Sequence, residues 1–446
     1  MGQALDEWTG DGEATSERAH EPLLDGADVL AGLRKLPGGR ELFELAFGRD
    51  DVELVGGAVR DLLLGRTPRE LDVVVTDDAQ GFAGELARRV GSLAGENPDE
   101  RFESTFHERF RTALVWWDRG RIDIATRRAE SYADDGALPE VEEGTPEQDL
   151  KRRDFTVNAI AVPLGGLRKG QLREPPDLPA LDDLRAGRLR VLHDASFTDD
   201  PTRLLRLARY AARLELEIEP HTAELAARAV AAHALDTVSG ARIGAELRLA
   251  LSEPDAVGAL AAMDGLGLLT ALHPLLRLDR EMIERALVLL GEDGRPDLLT
   301  IAALTLALAL RGGDDPRAEI AALLDRLEFA GTDRDRVAAA ATAVPSLVEE
   351  LPAAERPSRL RAAVAGIPPE GVALAGGASE PASEPARRWL AELRNVRLAI
   401  TGDDLIAAGV PEGPEIGRRL ERALELRLDS ELADGREAEL QAALDA

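Results

Sequence analysis

The stretch from residue 52 to residue 76, VELVGGAVRDLLLGRTPRELDVVVT, constrains the fold more than any other part of the chain. It predicts a short apolar strand that runs into Gly56 and Gly57, a short helix, a turn, and a second strand that carries Glu70 and Asp72. Side chains two residues apart on a strand point to the same face, so both carboxylates should lie together. Paired carboxylates beside a glycine turn that opens a helix suit metal-assisted chemistry on a phosphate.

The composition is that of a globular protein with a sizeable core, and it excludes several kinds of site. The 446 residues allow more than one domain, and 44% of them are hydrophobic. No apolar run approaches the roughly 18 residues of a membrane span, and the acidic N-terminus lacks the basic and apolar regions of a signal peptide. The chain has no cysteine, which excludes disulfides and thiolate metal ligands. We therefore predict a cytoplasmic protein without a membrane partner.

The charge of the chain limits its partners. The formal net charge of -29 argues against a surface that binds nucleic acid in general, and we expect no DNA partner. Arginines nevertheless gather between residues 152 and 213, whereas acids dominate the C-terminal half. Any contact with nucleic acid is therefore expected on a confined basic face.

The predicted elements follow the order strand, helix, strand, helix and hairpin, and a long helical region follows them. In the hairpin, Asp118-Arg119-Gly120 joins residues 112–117 to residues 121–126. We predict an α+β fold in which a head of mixed sheet and helices precedes an all-helical neck, body and tail. The predicted segments are a disordered or loose leader at 1–26, the head at 27–170, the neck at 171–255, the body at 256–395 and the tail at 396–446.

Two segments are rich in residues that form turns. Residues 127–147 are polar, contain several glycines and prolines, and predict a mobile loop. Residues 366–385, GIPPEGVALAGGASEPASEP, predict a linker or a loose connection between helical parts.

A third carboxylate is expected near the first two. Asp123 lies between Ile122 and Ile124 on the second strand of the hairpin, so its side chain faces away from theirs. If this strand neighbours the strand of Glu70 and Asp72, three carboxylates converge, and such oxygen ligands suit Mg²⁺ or Mn²⁺. The alternative is that these are ordinary acids at strand ends, exposed to solvent.

Two motifs are suited to binding phosphate. Glycines at a strand-to-helix turn let the backbone N–H groups of residues 56 and 57 approach a triphosphate, and Arg60 can add a guanidinium. In KRRDFTVNA, residues 151–159, Arg153 could bind a phosphate and Asp154 a ribose hydroxyl. The alternatives are a plain tight turn and the basic first turn of a surface helix.

A helix that begins near residue 200 carries a pattern suited to reading a base. Asp200 and Arg203 are three residues apart and share a face, which Arg206 and Arg209 continue. An acceptor beside two donors fits the pairing edges of cytosine and adenine and mismatches those of uracil and guanine. The alternative is a salt bridge within the helix.

The motifs GGAVRD, E-L-D, IDIATRR, KRRDFTVNA, DDPTRLLRLARYAARL and SGARIGAEL occur in the order and spacing of one family. The chain resembles the class II tRNA nucleotidyltransferases of the polymerase β superfamily, which are the CCA-adding enzymes and their poly(A) polymerase relatives. The resemblance is strong over residues 52–251 and resumes at residues 398–420, LAITGDDLIAAGVPEGPEIGRRL.

The resemblance implies a role for each matching residue. The family usually has Asp where this chain has Glu70, which moves the ligand oxygens by one methylene. The implied metal ligands are Glu70 and Asp72. Asp123 is predicted, from its position on the hairpin strand, to be a third catalytic acid. The implied nucleotide contacts are Gly56, Gly57, Arg60, Arg153, Asp154, Asp200, Arg203, Arg206 and Arg209. A neck helix would carry the supporting residues Arg242 and Glu246.

The implied reaction is template-independent transfer of CMP and AMP, from CTP and ATP, to the 3′ end of tRNA with Mg²⁺ or Mn²⁺. An A-adding enzyme and a poly(A) polymerase are the alternatives within the family. A CC-adding enzyme ranks lower, because a shortened loop marks that kind and residues 127–145 are retained here. The alternative from another class is a catalytically inactive protein that binds RNA or nucleotides, which only Glu70 favours.

Overall fold

The computed structural model describes residues 23–94, 101–107, 111–292, 294–311, 314–433 and 435–446. Its contacts divide the chain into two units, Met1–Val238 and Ser239–Ala446, so the division falls inside the predicted neck. Most of the predicted leader lies outside the described residues, and Asp25 already caps the first helix. Within the described ranges, no helix is both long enough and apolar enough to cross a membrane.

A six-stranded sheet organises the first unit. The strands of this unit are β1 (Glu53–Val55), β2 (Leu71–Val75), β3 (Phe102–His107), β4 (Thr112–Trp117), β5 (Gly120–Thr126), β6 (Arg128–Ser131), β7 (Glu140–Glu143), β8 (Ala161–Pro163), β9 (Arg188–Leu189) and β10 (Glu217–Ile218). The large sheet has the order β3-β4-β5-β2-β1-β8. All its neighbours are antiparallel except β2 and β5, which are parallel with Asp72 opposite Asp123. The predicted hairpin is therefore present, and β3 adds a strand that the sequence pattern did not predict.

Helices flank this sheet and extend beyond it. They are α1 (Gly26–Leu33), α2 (Gly39–Ala46), α3 (Gly57–Leu63), α4 (Ala79–Ala94), α5 (Pro146–Lys151), α6 (Ala180–Arg185), α7 (Ser196–Asp199), α8 (Thr202–Leu214) and α9 (Pro220–Ala231). Helix α4 packs on β3, β4 and β5 with Leu86 and Val90 buried, as its apolar spacing predicts. Short 3₁₀ turns lie at Thr156–Asn158 and Ala234–Thr237.

Residues 127–147 are ordered, which corrects the prediction of a mobile loop. Strands β6 and β7 pair antiparallel, and Thr145 caps α5 with a capping box. An ion pair links this hairpin to the segment after α5: Arg152 donates to Glu130 of β6 at 3.0 Å. The strands pair with each other, but Arg152 lies outside the segment, so the composition of the segment alone did not indicate this contact.

Helices joined by short connections make up the described part of the second unit, which confirms the predicted α+β class with a mostly helical C-terminal part. Its helices are α10 (Gly240–Leu251), α11 (Ala256–Gly265), α12 (Leu268–Leu272), α13 (Arg280–Leu290), α14 (Pro296–Leu310), α15 (Pro316–Arg326), α16 (Gly331–Ala353), α17 (Pro357–Ala363), α18 (Pro369–Ala378), α19 (Glu380–Ala391), α20 (Gly402–Ala407), α21 (Pro414–Leu428) and α22 (Arg436–Asp445). A 3₁₀ turn, Leu393–Asn395, follows α19.

Residues 366–385 form two helices rather than the predicted linker. Helix α18 is buried along most of its length and packs against α13 and α16. Its glycines allow this close approach, because a Cβ at Gly377 would lie 2.6 Å from the Met282 carbonyl oxygen. The buried Glu370 accepts two hydrogen bonds from Arg336, both at 2.8 Å. The small residues that suggested a linker therefore serve helix packing.

A glycine substitution tests this packing. We expect Gly377→Ala to lower the free energy of unfolding by about 1–3 kcal/mol, because the new methyl group must displace backbone atoms of α13. Gly417→Ala is the matched control, since it lies in exposed α21 with no atom near its Cβ and should be neutral or stabilising by up to about 1 kcal/mol. Urea unfolding followed by circular dichroism measures both. Equal effects of the two variants would contradict a buried α18.

Candidate active site

Three carboxylates converge where β2 and β5 lie side by side. The parallel register places Asp72 opposite Asp123, and Glu70 directly precedes β2. One oxygen from each side chain lies within 4.8 Å of those of the other two. Because Ile122 and Ile124 are buried on the other face, Asp123 turns toward its partners. The predicted convergence of the three acids is therefore confirmed.

The charge of this cluster fits a divalent cation. Burial and the Glu70 carboxylate raise the pKa of the Asp72 carboxyl to about 7. The Asp123 carboxylate adds to this effect, and the guanidiniums of Arg153 and Arg121 oppose it. A cation among the three acids would relieve the repulsion, and an all-oxygen donor set is the kind that Mg²⁺ and Mn²⁺ prefer.

The glycine turn lies directly against these acids. Gly56 has φ +71° and ψ -141°, a backbone conformation that essentially only glycine adopts. A Cβ at this position would lie 2.9 Å from Arg153 Nη1 and 3.4 Å from Asp72 Oδ2. The glycine turn, Arg153 and Asp72 are thus brought together, although Arg153 is far from the other two in sequence. Gly57 follows as the first residue of α3.

Asp149 holds Arg153 in this position, and the sequence analysis did not identify it. The Arg153 Nη2 donates to Asp149 Oδ2 at 3.0 Å, and Arg152 donates to Asp149 Oδ1 at 2.9 Å. Although burial acts in the opposite direction, these two guanidiniums hold the pKa of Asp149 at about 2. Asp149 lies four residues before Arg153, and this acid–base spacing was the signal that could have identified it.

Arg60 lies against the glycine turn. Its side chain is buried, and it donates from Nε to Asp61 at 2.8 Å and from Nη1 to the side-chain oxygen of Asn158. A Cβ at Gly57 would lie 3.3 Å from Arg60 Nη2. The predicted contact of Arg60 with a triphosphate stays a prediction, and Asn158 is a further residue that the sequence analysis missed.

Asp154 joins the KRRDFTVNA segment to helix α8. It accepts from Arg206 Nε and from Asn158 Nδ2, each at 3.0 Å. Burial alone would raise its pKa, but Arg206 and Asn158 hold the pKa at about 2. Further along α8, the guanidiniums of Arg206 and Arg209 lie 5.4 and 4.7 Å from the centre of the Tyr210 ring.

The predicted base-reading pair lies at the start of α8. Asp200 accepts from the Thr202 backbone N–H at 3.1 Å and from its hydroxyl at 2.6 Å. The buried Arg203 donates to Ser196 Oγ at 3.1 Å and to the Arg152 carbonyl oxygen at 2.9 Å. Arg203 is therefore fixed against the segment that also carries Arg153, so the two predicted halves of the site are adjacent.

A cleft of about 400 Å³ opens over the carboxylates. Its charged and polar lining comes from strands β2 to β6 and from the segment after α5. These lining residues include Asp72, Asp123, Arg121, His107, Arg152 and Arg153. A negatively charged floor beside a positively charged wall suits a metal-bound polyphosphate.

Arg242 and Glu246 lie in the second unit, one turn apart on α10. Glu246 is buried and Arg242 is half-buried. Their predicted support of the base-reading helix stays a prediction.

The sequence and the fold are similar to those of known proteins. Residues 52–190 match the family described as Poly A polymerase head domain. An A-adding tRNA nucleotidyltransferase of Geobacter sulfurreducens is 35% identical over 407 residues, which are 86% of this chain and 44% of that protein. A CC-adding tRNA nucleotidyltransferase of Deinococcus radiodurans is 34% identical over 387 residues, 84% of each chain. The solved Thermotoga maritima CCA-adding enzyme complexed with tRNA superposes with a TM-score of 0.74 and 27% identity, over 95% of this chain and 99% of that one.

A mixed-sheet head with carboxylates at a glycine turn, followed by helices, defines the class of nucleotidyltransferases with a poly(A) polymerase head. The chain belongs to the tRNA nucleotidyltransferase family, because the Deinococcus relative matches it over most of both proteins. The resemblance drawn from the motifs is confirmed. The chain spans 44% of the length of the Geobacter relative.

Proposed function

We propose that this chain adds nucleotides to the 3′ end of tRNA without a template, and that it builds CCA from CTP and ATP. The observation that carries the proposal is that three carboxylates converge and that the Gly56 turn and Arg153 lie directly against one of them, Asp72, beside a cleft. Metal ligands, a phosphate-binding turn and a fixed guanidinium are the parts that nucleotidyl transfer needs.

The carboxylates form the metal half of the proposed site. Glu70, Asp72 and Asp123 would hold Mg²⁺, or Mn²⁺ in its place. When bound, such ions supply Lewis-acid activation of the attacking hydroxyl and neutralise charge on the phosphates. In the reaction, the 3′-hydroxyl oxygen of the RNA bonds to the α-phosphorus, the bond to pyrophosphate breaks, and the hydroxyl proton is released.

The glycine turn and Arg153 form the triphosphate half. The Gly57 N–H lies in the first turn of α3, where the helix N-terminus favours an anion. The Gly56 N–H instead donates to the Ile160 carbonyl oxygen at 3.1 Å, which corrects the prediction that it approaches a triphosphate. Arg153 lies beside the turn and is held there by Asp149. Because these donors are already in place before a nucleotide arrives, little ordering is needed at the moment of binding.

The start of α8 would select the base. Asp200 offers an acceptor and Arg203 offers donors, which matches the pairing edges of cytosine and adenine. Arg203 is anchored by Ser196 and by the Arg152 carbonyl, so its position relative to Arg153 is fixed. Such anchoring is what recognition without a template requires, because the protein itself must reject uracil and guanine.

The relatives support tRNA as the substrate. The Geobacter and Deinococcus proteins are named as tRNA nucleotidyltransferases, and the Thermotoga enzyme is complexed with tRNA. The hairpin of β6 and β7 disfavours a CC-adding enzyme, because the resemblance implies that enzymes of that kind have a shortened loop here. A-only addition is the second candidate, because the Geobacter relative that matches 86% of this chain is an A-adding enzyme.

The two candidates differ on a tRNA that ends before CC. We expect the purified chain, given CTP and ATP with Mg²⁺, to extend this end by C, C and A, read as three successive products on a sequencing gel. Extension with CTP alone should stop after two additions. Failure to add C to this end, with normal addition of A to a CC end, would contradict the CCA proposal and support A-only addition.

A further inference from the structure

Arg121 lies inside the carboxylate cluster, and the proposed transfer reaction gives it no task. Its Nε and Nη2 donate to Asp123 Oδ2 and Oδ1 at 2.8 and 3.1 Å. The same Nε lies 3.5 Å from Glu70 Oε2. Residues 121 and 123 are two apart on β5 and share a face, so the strand itself directs this pairing. One guanidinium therefore spans two of the three acids proposed to hold metal.

Two guanidiniums offset the negative charge of the cluster, and their side chains differ greatly in exposure to solvent. Arg153 is 14% exposed and is bound to the buried Asp149, so it cannot leave without breaking a buried ion pair. Arg121 is 48% exposed and sits on the solvent side of Asp123 and Glu70. Only Arg121 can therefore rotate into water when another cation enters.

A divalent cation and Arg121 compete for the same oxygens. Both oxygens of Asp123 already accept from the guanidinium, which is the bidentate arrangement that arginine and carboxylate favour. A cation within coordination distance of Asp123 would lie a few ångström from a positive charge and would be repelled by it. Pairing of Asp123 with Arg121 and binding of a divalent cation by Asp123 therefore exclude each other.

We propose that Arg121 is a resident counter-cation that a divalent metal displaces from Asp123 and Glu70, so that the arginine opposes metal loading. The inference rests on the proposed function only for the identity of the metal site. Without metal, Arg121 offsets part of the repulsion within the cluster. With metal, the guanidinium turns outward and all three acids become available as ligands.

Titration of the full chain with Mn²⁺ alone, followed by the electron paramagnetic resonance signal of the free ion, tests this exchange. We expect Arg121→Gln to lower the Kd for Mn²⁺ about fivefold, because a half-exposed ion pair no longer has to be broken. Arg121→Lys keeps the charge but loses the planar fork, and its Kd should lie between the two. Arg101→Gln is the matched control, since Arg101 pairs with Asp118 at the hairpin turn and its loss should leave the Kd unchanged.

Unchanged or weaker Mn²⁺ binding by Arg121→Gln would overturn the proposal. An effect of Arg121→Gln that persists undiminished in an Asp123→Asn background would also overturn it, because Asp123 would then not be the group that the arginine and the ion share. The titration contains neither tRNA nor nucleotide, so it is independent of the transfer reaction. A chain that shows the shift and adds no nucleotide refutes the function alone, and a chain that adds nucleotides without the shift refutes the exchange alone.

Discussion

Asp72→Asn is expected to lower the rate of nucleotide incorporation by roughly a thousandfold or more, because a metal site on β2 loses the ligand at its centre. Asparagine keeps the size of the side chain, so strand pairing and the circular dichroism spectrum should be preserved. Incorporation of CMP and AMP into tRNA at saturating nucleotide measures the effect. Binding of tRNA, measured by filter retention, should change little.

Two substitutions serve as controls for Asp72. Asp118 lies in the β4–β5 hairpin and pairs with Arg101, outside the carboxylate cluster. Asp118→Asn should therefore keep the rate of incorporation within about twofold of that of the unaltered chain. Glu70→Asp restores the residue usual in the family and should retain most of the activity. If Asp72→Asn incorporated nucleotides at more than a tenth of the rate of the unaltered chain, the carboxylate cluster would not be the metal site of the reaction.

The second large effect is on the choice of nucleotide. Arg203→Ala is expected to reduce the preference for CTP and ATP over UTP and GTP by roughly a hundredfold in kcat/KM, because the donors that oppose the wrong bases are lost. Incorporation assays with each of the four nucleotides measure this preference.

Ser196→Ala is the matched control for Arg203. It removes one anchoring hydrogen bond and keeps the guanidinium, so the preference should fall by only a few-fold. If Arg203→Ala kept the preference of the unaltered chain for CTP and ATP, the base would be recognised by other residues.

The carboxylate site could be predicted because its information is local. Alternation along a strand places Glu70 and Asp72 on one face, and the isoleucines on either side of Asp123 orient that acid. The register that joins the two strands is not local, but the hairpin signal and the apolar pattern leave few arrangements. The glycine turn could likewise be recognised from its position between a strand and a helix.

Other features depend on partners distant in sequence, and the sequence pattern misled there. Residues 127–147 look irregular because the groups that order them, such as Arg152, lie beyond the segment. Residues 366–385 look loose because small residues suit both a linker and the centre of a helical bundle, and only the facing helices α13 and α16 distinguish these. Asn158 was overlooked because Arg60, one of its two hydrogen-bond partners, is distant in sequence and becomes its neighbour only in the fold.

The central claim is that the carboxylate cluster and the start of α8 form one centre for nucleotidyl transfer to tRNA. Transfer of labelled AMP from ATP to a tRNA that ends in CC tests it most directly, because both A-only and full CCA addition use this end. We predict one AMP per tRNA with an equal amount of pyrophosphate released, and no transfer when Mg²⁺ is removed by chelation. Absence of transfer by a folded chain that binds Mn²⁺ at the cluster would contradict the account.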